Sequence, residues 1–249
     1  MRVIVTLTTV PPRFPYLPRT LASLRAQSLK PDRIVINVPP QYMRFGPTPL
    51  EQLAAEAGSD VEINLVPRDF GPATKLVGMT FRDDLEPDDL LISIDDDRHY
   101  DRNLVARHVD ANLKEEETVK TEAGWEIEQL SSFAYRKKLF PRGVEFVEEG
   151  YIDCLGGCCG VSLFKRHIDE QIRDVPRQSV FVDDIFFSAY FARKDVPIRV
   201  LKGGIDQLRT YAEMVSPLFW GKELERRKLN EDAIRYFRDA WGVWTDGQG

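Results

Sequence analysis

The stretch Leu90-Leu-Ile-Ser-Ile-Asp-Asp-Asp-Arg-His99 ends an apolar run on three consecutive carboxylates, Asp95, Asp96 and Asp97. Three like charges side by side repel one another. The cluster is therefore either a solvated acidic turn, with an aspartate capping the next helix, or a site for something positive. Hard divalent cations take oxygen ligands, and magnesium or manganese commonly uses one or two carboxylates plus the phosphates of a substrate. A second pair, Asp183 and Asp184, lies among Phe181, Phe186, Phe187 and Tyr190 in FVDDIFFSAYFA. Acidic residues at a helix start suit the positive end of the helix dipole, yet in aromatic surroundings an unpaired carboxylate is costly without a task. Such a pair can divide the work of a general base, one carboxylate taking a proton from a hydroxyl and the other orienting a partner. Two cations complete the set: Lys75 in RDFGPATKL, beside the Gly71-Pro72 turn, and Arg13 after Pro11-Pro12. Each is either a solvated surface charge or a contact for a diphosphate.

The surrounding pattern says how these groups can meet. Val3 to Thr8 is β-branched and apolar, a buried strand, and it is broken by PPRFPYLP, since proline cannot join a central ladder. A helix is expected from Thr20, a second strand over Arg33 to Val38, a helix over Leu50 to Ala57 and a third strand over Val61 to Val66. Another helix is expected over Leu76 to Phe81, and a fourth strand over Leu90 to Ile94. Repeated β-α-β units imply a mostly parallel sheet with helices on both faces. Ligands bind outside the carboxyl ends of such strands. The triplet lies there, as do Thr8, Thr9 and Arg13 after the first strand and Asp69 to Lys75 after the third.

The second half is less regular. Asp101 to Lys120 reads as one amphipathic helix, and Trp125 to Phe146 as mixed, with a strand over Gln129 to Tyr135. Gly150 to Phe164 holds LGGCCG, where small residues let backbone approach a ligand or a strand closely. A helix begins near Val182, Pro197 to Leu201 is a short strand, and Glu223 to Trp241 is a charged C-terminal helix. No repeat or linker divides the chain, so one domain over 1–249 is expected.

Composition sets the outer bounds. The 249 residues are 43% hydrophobic and 30% charged, ordinary globular usage that provides for a substantial core. A net charge of −6 argues against a nucleic-acid partner, which would call for a basic face. No apolar run reaches the roughly 18 residues of a membrane span, and MRVIVTLTTVPPR does not read as a signal peptide. Cys154, Cys158 and Cys159 form an odd, clustered set that fits packed thiols in a reducing compartment better than a disulfide framework. The expectation is a cytoplasmic protein without a transmembrane segment, with peripheral membrane association left open.

LISIDDD resembles the hydrophobic strand plus Asp-x-Asp motif of GT-A-fold glycosyltransferases, particularly the family-2-like group. VTLTTVPPRFPYLPRTLASLRAQSLKPDRIVINVP resembles the start of those domains. GGCCGVSLFKRHID resembles the small-residue segment before the acceptor site, and VDDIFFSAYFA the acidic-pair helix that supplies the catalytic base. The matches span roughly residues 2 to 201 in the family's order. The resemblance implies a GT-A-like, Rossmann-related α/β fold and a metal-dependent, inverting transfer of a sugar from a nucleotide-sugar donor to a hydroxyl of a glycan or glycoconjugate acceptor. It implies Mn2+ or Mg2+ at Asp97 and Asp95, or at the adjacent pair Asp96 and Asp97. Asp184 would be the base and Asp183 its support. Thr8, Thr9, Arg13, Asp69, Lys75, Asp95 and Asp96 would face the donor, and Trp125 and Trp220 are candidates to stack on a sugar. Two departures stand out: the second strand ends in Asn37-Val-Pro-Pro without the acidic residue that reads the base, and no histidine follows the acidic pair. A sugar-phosphate nucleotidyltransferase is the rival enzyme, although TTVPPRFPYLP lacks the glycine-rich signature of that group. A non-catalytic sugar-binding protein that keeps the fold is the rival outside enzymes.

Overall fold

The computed structural model describes residues 1–127, 135–138, 150–201, 209–210 and 223–241. The strand expected over Gln129 to Tyr135 and the stacking candidate Trp220 lie wholly or mostly outside them. One eight-stranded sheet carries the molecule. Its strands are β1 (Val3–Thr8), β2 (Arg33–Val38), β3 (Glu62–Leu65), β4 (Leu90–Ser93), β5 (Val119–Thr121), β6 (Gly150–Ile152), β7 (Val161–Phe164) and β8 (Ile198–Val200). The order across the sheet is β6-β8-β5-β7-β4-β1-β2-β3. β3, β2, β1 and β4 are mutually parallel. β7 runs against both β4 and β5, β8 runs with β5, and β6 opposes β8. Six strands therefore share one direction, and the chain has the mostly parallel, helix-flanked α/β fold expected.

The strands read as unbroken apolar runs because both faces are covered. Ile4, Val35 and Leu91 enter one core layer, with Leu76, Val77, Phe186, Phe187 and Ile234. Their neighbours Val5, Ile34, Ile36 and Ile92 enter the opposite layer, with Leu17, Leu21, Leu24, Leu53, Leu104 and Val105. Alternation along each strand thus feeds two cores, as the two-residue period of a strand requires. The covering helices are α1 (Leu17–Arg25), α2 (Leu50–Ala57), α3 (Thr74–Val77), α4 (Leu104–Lys114), α5 (Asp183–Ala192) and α6 (Glu223–Tyr236).

Several boundaries differ from expectation. Pro11–Tyr16 does not merely break the chain; it winds as a 3-10 turn that runs into α1 at Leu17. The helix expected from Leu76 begins at Thr74 and finishes as a 3-10 turn over Gly78–Phe81. The helix expected through Lys120 stops at Lys114, and Val119–Thr121 is a strand in the central sheet. Glu115, Glu116 and Glu117 follow Lys114, and three carboxylates at the negative end of a helix dipole oppose its extension. Thr118, Val119 and Thr121 then supply β-branched residues suited to a strand. The C-terminal helix ends at Tyr236, with a 3-10 turn over Arg238–Trp241. Among the described residues no helix is long and apolar enough to cross a membrane.

Candidate active site

The carboxyl ends of β1, β2, β3 and β4 lie side by side, and Lys75 is fixed beneath them by a ladder of polar side chains. The Thr6 hydroxyl donates to the Lys75 carbonyl. The Asn37 amide donates to that same carbonyl at 3.1 Å and to the Thr6 hydroxyl at 2.8 Å. Asn64 donates to the Asn37 side-chain oxygen at 2.7 Å and to the Gly78 carbonyl at 3.1 Å. Thr6, Asn37 and Asn64 come from three adjacent strands, and Asn37 is fully buried. Asn37, next to last in the second strand, thus holds the lysine loop. The turn into α3 needs Gly71: its φ is +63°, and a Cβ there would lie 2.1 Å from the Val180 carbonyl oxygen. That contact joins the lysine loop to the segment that leads into α5.

Lys75 is 3% exposed, and its ammonium meets both acidic clusters. Nζ lies 2.7 Å from Asp95 Oδ1 and 2.8 Å from Asp183 Oδ2. Burial alone would lower its pKa, but the charges of Asp183, Asp95 and Asp184 outweigh it and raise the pKa well above 10.5. Asp95 is correspondingly held below the usual carboxylate range, because Lys75 overcomes its burial. Asp184 Oδ1 accepts the Gly157 amide at 2.9 Å. A Cβ on Gly157 would fall 2.7 Å from that oxygen and 3.1 Å from Lys75 Nζ, so a larger residue there would displace the carboxylate. Burial, with Asp183 adding like charge, pushes the Asp184 carboxyl up to about 7.

Tyr100 closes the circuit. Its hydroxyl accepts the Asp95 amide at 2.9 Å, and its own proton is within reach of the Cys158 carbonyl at 3.2 Å and the Asp95 carbonyl at 3.3 Å. The triplet, the Gly157–Cys159 turn, the acidic pair and Lys75 therefore form one ring of contacts. Neither Tyr100 nor Gly157 was singled out as a contact residue from the sequence, although each lies close to a motif that was.

The rest of the triplet belongs to Arg13. Its guanidinium lies 2.6 Å from Asp96 Oδ1 and 3.1 Å from Asp97 Oδ2. Arg98 Nε stands 3.7 Å from Asp97 Oδ1, too far for a hydrogen bond. Sequence reasoning passed over Arg98 although it directly follows the triplet. Burial, reinforced by Asp95 and Asp96, pushes the Asp97 carboxyl up to about 6 despite both arginines. Asp96 Oδ2, Asp97 Oδ1, Arg13 Nε and Arg98 Nε are buried without a hydrogen-bond partner. Among the described residues no three His, Cys, Asp or Glu side chains converge as a metal-ligand set. The orphaned oxygens of Asp96 and Asp97 fit a hard divalent cation that draws its other ligands from phosphates and water. Asp95 likewise has one oxygen, Oδ1, engaged by a cation, here Lys75.

The remaining candidates hold the strand ends in place. The Thr8 hydroxyl donates to the Asn37 carbonyl at 2.8 Å. The Thr9 carbonyl accepts from Tyr42 at 2.9 Å, while the Thr9 hydroxyl is buried and unpartnered. Asp69 accepts the amides of Met43 at 2.9 Å and Gly71 at 2.7 Å, so it shapes the lysine turn. The structure therefore brings Arg13, Lys75, Asp95, Asp96, Asp97, Asp183 and Asp184 together, and uses Thr8, Thr9 and Asp69 at the edge of the cleft.

This architecture is found in solved structures. The chain is similar to GalNAc-T7, crystallised with UDP, GalNAc and Mn2+, at TM-score 0.52 and 13% identity over 80% of this chain and 41% of that one. It thus spans less than half the length of that protein. It is also similar to 4-diphosphocytidyl-2C-methyl-D-erythritol synthase, at TM-score 0.52 and 12% identity over 92% of this chain and 100% of that one. At such identities the likeness is one of fold. No protein-family model and no curated protein sequence matches the chain.

Proposed function

We propose that the cleft transfers a sugar from a nucleotide-sugar donor to an acceptor hydroxyl on a glycan or glycoconjugate, with inversion. One observation supports this reading: Lys75 joins an aspartate of the strand-end triplet to an aspartate of α5, as a site that couples diphosphate binding to a base would require. Asp184 is the base. It takes the acceptor proton as the acceptor oxygen bonds to the anomeric carbon and the bond from that carbon to the diphosphate breaks. Its raised pKa suits the task, since a base works best with a pKa close to the ambient pH. The Gly157 amide fixes its orientation, and Asp183 anchors Lys75 beside it. Lys75, Arg13 and Arg98 meet the charge that develops on the leaving nucleoside diphosphate. Asp97, with Asp96 beside it, would hold Mn2+ or Mg2+, which when bound neutralises the same charge.

The test is a thermal-shift and calorimetric screen against nucleotide sugars with and without manganese. A donor at a hundred times its Kd should stabilise the fold by about 2.7 kcal/mol. Asp97→Asn should lose the manganese-dependent part of that binding, and undiminished binding would remove Asp97 as a ligand. The fold likeness to the erythritol synthase extends over its full length, which supports nucleotidyl transfer as the second reading. Release of pyrophosphate from a nucleoside triphosphate and a sugar phosphate would favour that reading. Release of a nucleoside diphosphate with glycosylated acceptor would favour the first.

A further inference from the structure

Two adjacent thiols lie on the turn that holds the candidate base, and sugar transfer has no use for them. Cys158 and Cys159 belong to the 3-10 turn Gly157–Cys159, with their sulfurs 3.5 Å apart. Cys159 is buried and Cys158 partly exposed, whereas Cys154 is a separate buried thiol. The turn has little slack. Gly157 donates to Asp184, a Cβ on it would lie 3.1 Å from Lys75 Nζ, and the Cys158 carbonyl faces Tyr100. We propose that Cys158 and Cys159 form a reversible oxidation site at which a hydroperoxide closes a disulfide between neighbouring residues and displaces the turn from Asp184. The effect on transfer rests on the activity proposed above; the thiol chemistry does not.

The chemistry balances as follows. The Cys158 thiolate attacks one oxygen of hydrogen peroxide, forming an S–O bond as the O–O bond breaks and hydroxide leaves with the Cys158 proton as water. The Cys159 sulfur then attacks the sulfenyl sulfur of Cys158. The S–S bond forms, the S–O bond breaks, and the departing hydroxide takes the Cys159 proton as a second water. Two thiols are oxidised by two electrons and one peroxide is reduced. A thiolate beside a cation, partly open to solvent and next to a resolving thiol, is the arrangement of an oxidation-sensitive cysteine. The hydrogen bond from Cys159 favours the Cys158 thiolate against burial, and Arg98 adds to it. Ring closure must bring the sulfurs to about 2.05 Å across Cα atoms only about 3.8 Å apart, below the usual range for a disulfide. The bridge is therefore strained and easily reduced. That strain falls on the turn and so on the Gly157 amide.

The experiment treats the full chain with an equivalent of hydrogen peroxide, counts thiols, and measures the mass of the peptide that contains both cysteines without reduction. Of three free thiols, the proposal expects only Cys154 to remain titratable. The peptide should lose about two mass units, the protein should stay free of intermolecular disulfide, and dithiothreitol should reverse the change. In Cys159→Ser the same treatment should instead leave an oxygen-bearing Cys158. Transfer should fall about a hundredfold in the oxidised form and return on reduction, the size expected for a displaced base. An unchanged thiol count, or a wild-type Cys158 that keeps added oxygen, overturns the proposal. Equal transfer in both states overturns the link to Asp184. A reversible loss of two mass units in a protein that transfers no sugar in either state would support the oxidation site and refute the transferase reading instead.

Discussion

On the side of β1 to β4 the functional groups leave the ends of parallel strands and are fixed by side chains, whereas on the side of β7 and α5 they are fixed by backbone. Thr6, Asn37 and Asn64 reach across three strands to hold the loop of Lys75. On the other side, Asp184 is oriented by one amide on a turn where an added methyl group would displace the carboxylate. The first construction depends on a register that the whole sheet enforces. The second depends on close approach alone. The contrast teaches that the side of β1 to β4 should fail by loss of stability, and the side of β7 and α5 by loss of the proposed activity in a protein that still folds.

The largest effect is expected where the two sides meet. Lys75→Ala leaves Asp95 and Asp183 facing each other without their shared cation, and breaking a buried ion pair in this way costs about 3–5 kcal/mol. Chemical denaturation should show a clear drop in midpoint; an unchanged midpoint would mean that Lys75 is not the bridge. Next come two glycine replacements that separate the constructions. Gly78→Ala places a Cβ 2.3 Å from Asn37 Oδ1, and should cost about 1–3 kcal/mol as an overpacked core site does. Gly157→Ala places its Cβ against Asp184, and should reduce transfer far more than it lowers the melting temperature. If Gly157→Ala unfolds the protein as readily as Gly78→Ala, the distinction between the two sides is wrong.

A further expected effect is one of pH. Asp184 in the folded protein titrates at about 7 against an ordinary 3.8, so the folded state binds this proton more tightly than the unfolded state. That contribution to stability is present at and below about pH 4 and is withdrawn as pH rises towards 7. Asp184→Asn should flatten this part of the stability–pH curve, while wild-type transfer should increase as pH rises through 7. A stability curve of identical shape in wild type and variant would show that Asp184 titrates normally.

Much of the side of β1 to β4 was legible from the sequence because its signals are local. β-Branched apolar runs, the prolines after β1 and the acidic triplet after β4 fix strand ends without reference to distant residues. The parallel arrangement then places Arg13, Lys75 and the triplet on one edge. The side of β7 and α5 was legible only as a list of parts. That Gly157 rather than a charged residue holds Asp184, and that Tyr100 ties the triplet to the cysteine turn, depends on a strand reversal at β7 that no short-range pattern announces. The helix expected through Lys120 shows the same limit in small: its apolar spacing runs on past the three glutamates, but the sheet needs Val119 beside Ile198. Asn37, noticed first for the acidic residue it lacks, is a support for the lysine loop, a role visible only once β1, β2 and β3 stand together.

The account's central claim is the proposal that Asp184 works as base while other residues hold the donor. Asp184→Asn, assayed in parallel for calorimetric donor binding and for sugar transfer, tests this most directly. Donor affinity should match the wild type while transfer falls by about 10²–10⁴-fold, the range for loss of a general base. Normal donor affinity with transfer at the wild-type rate would contradict it.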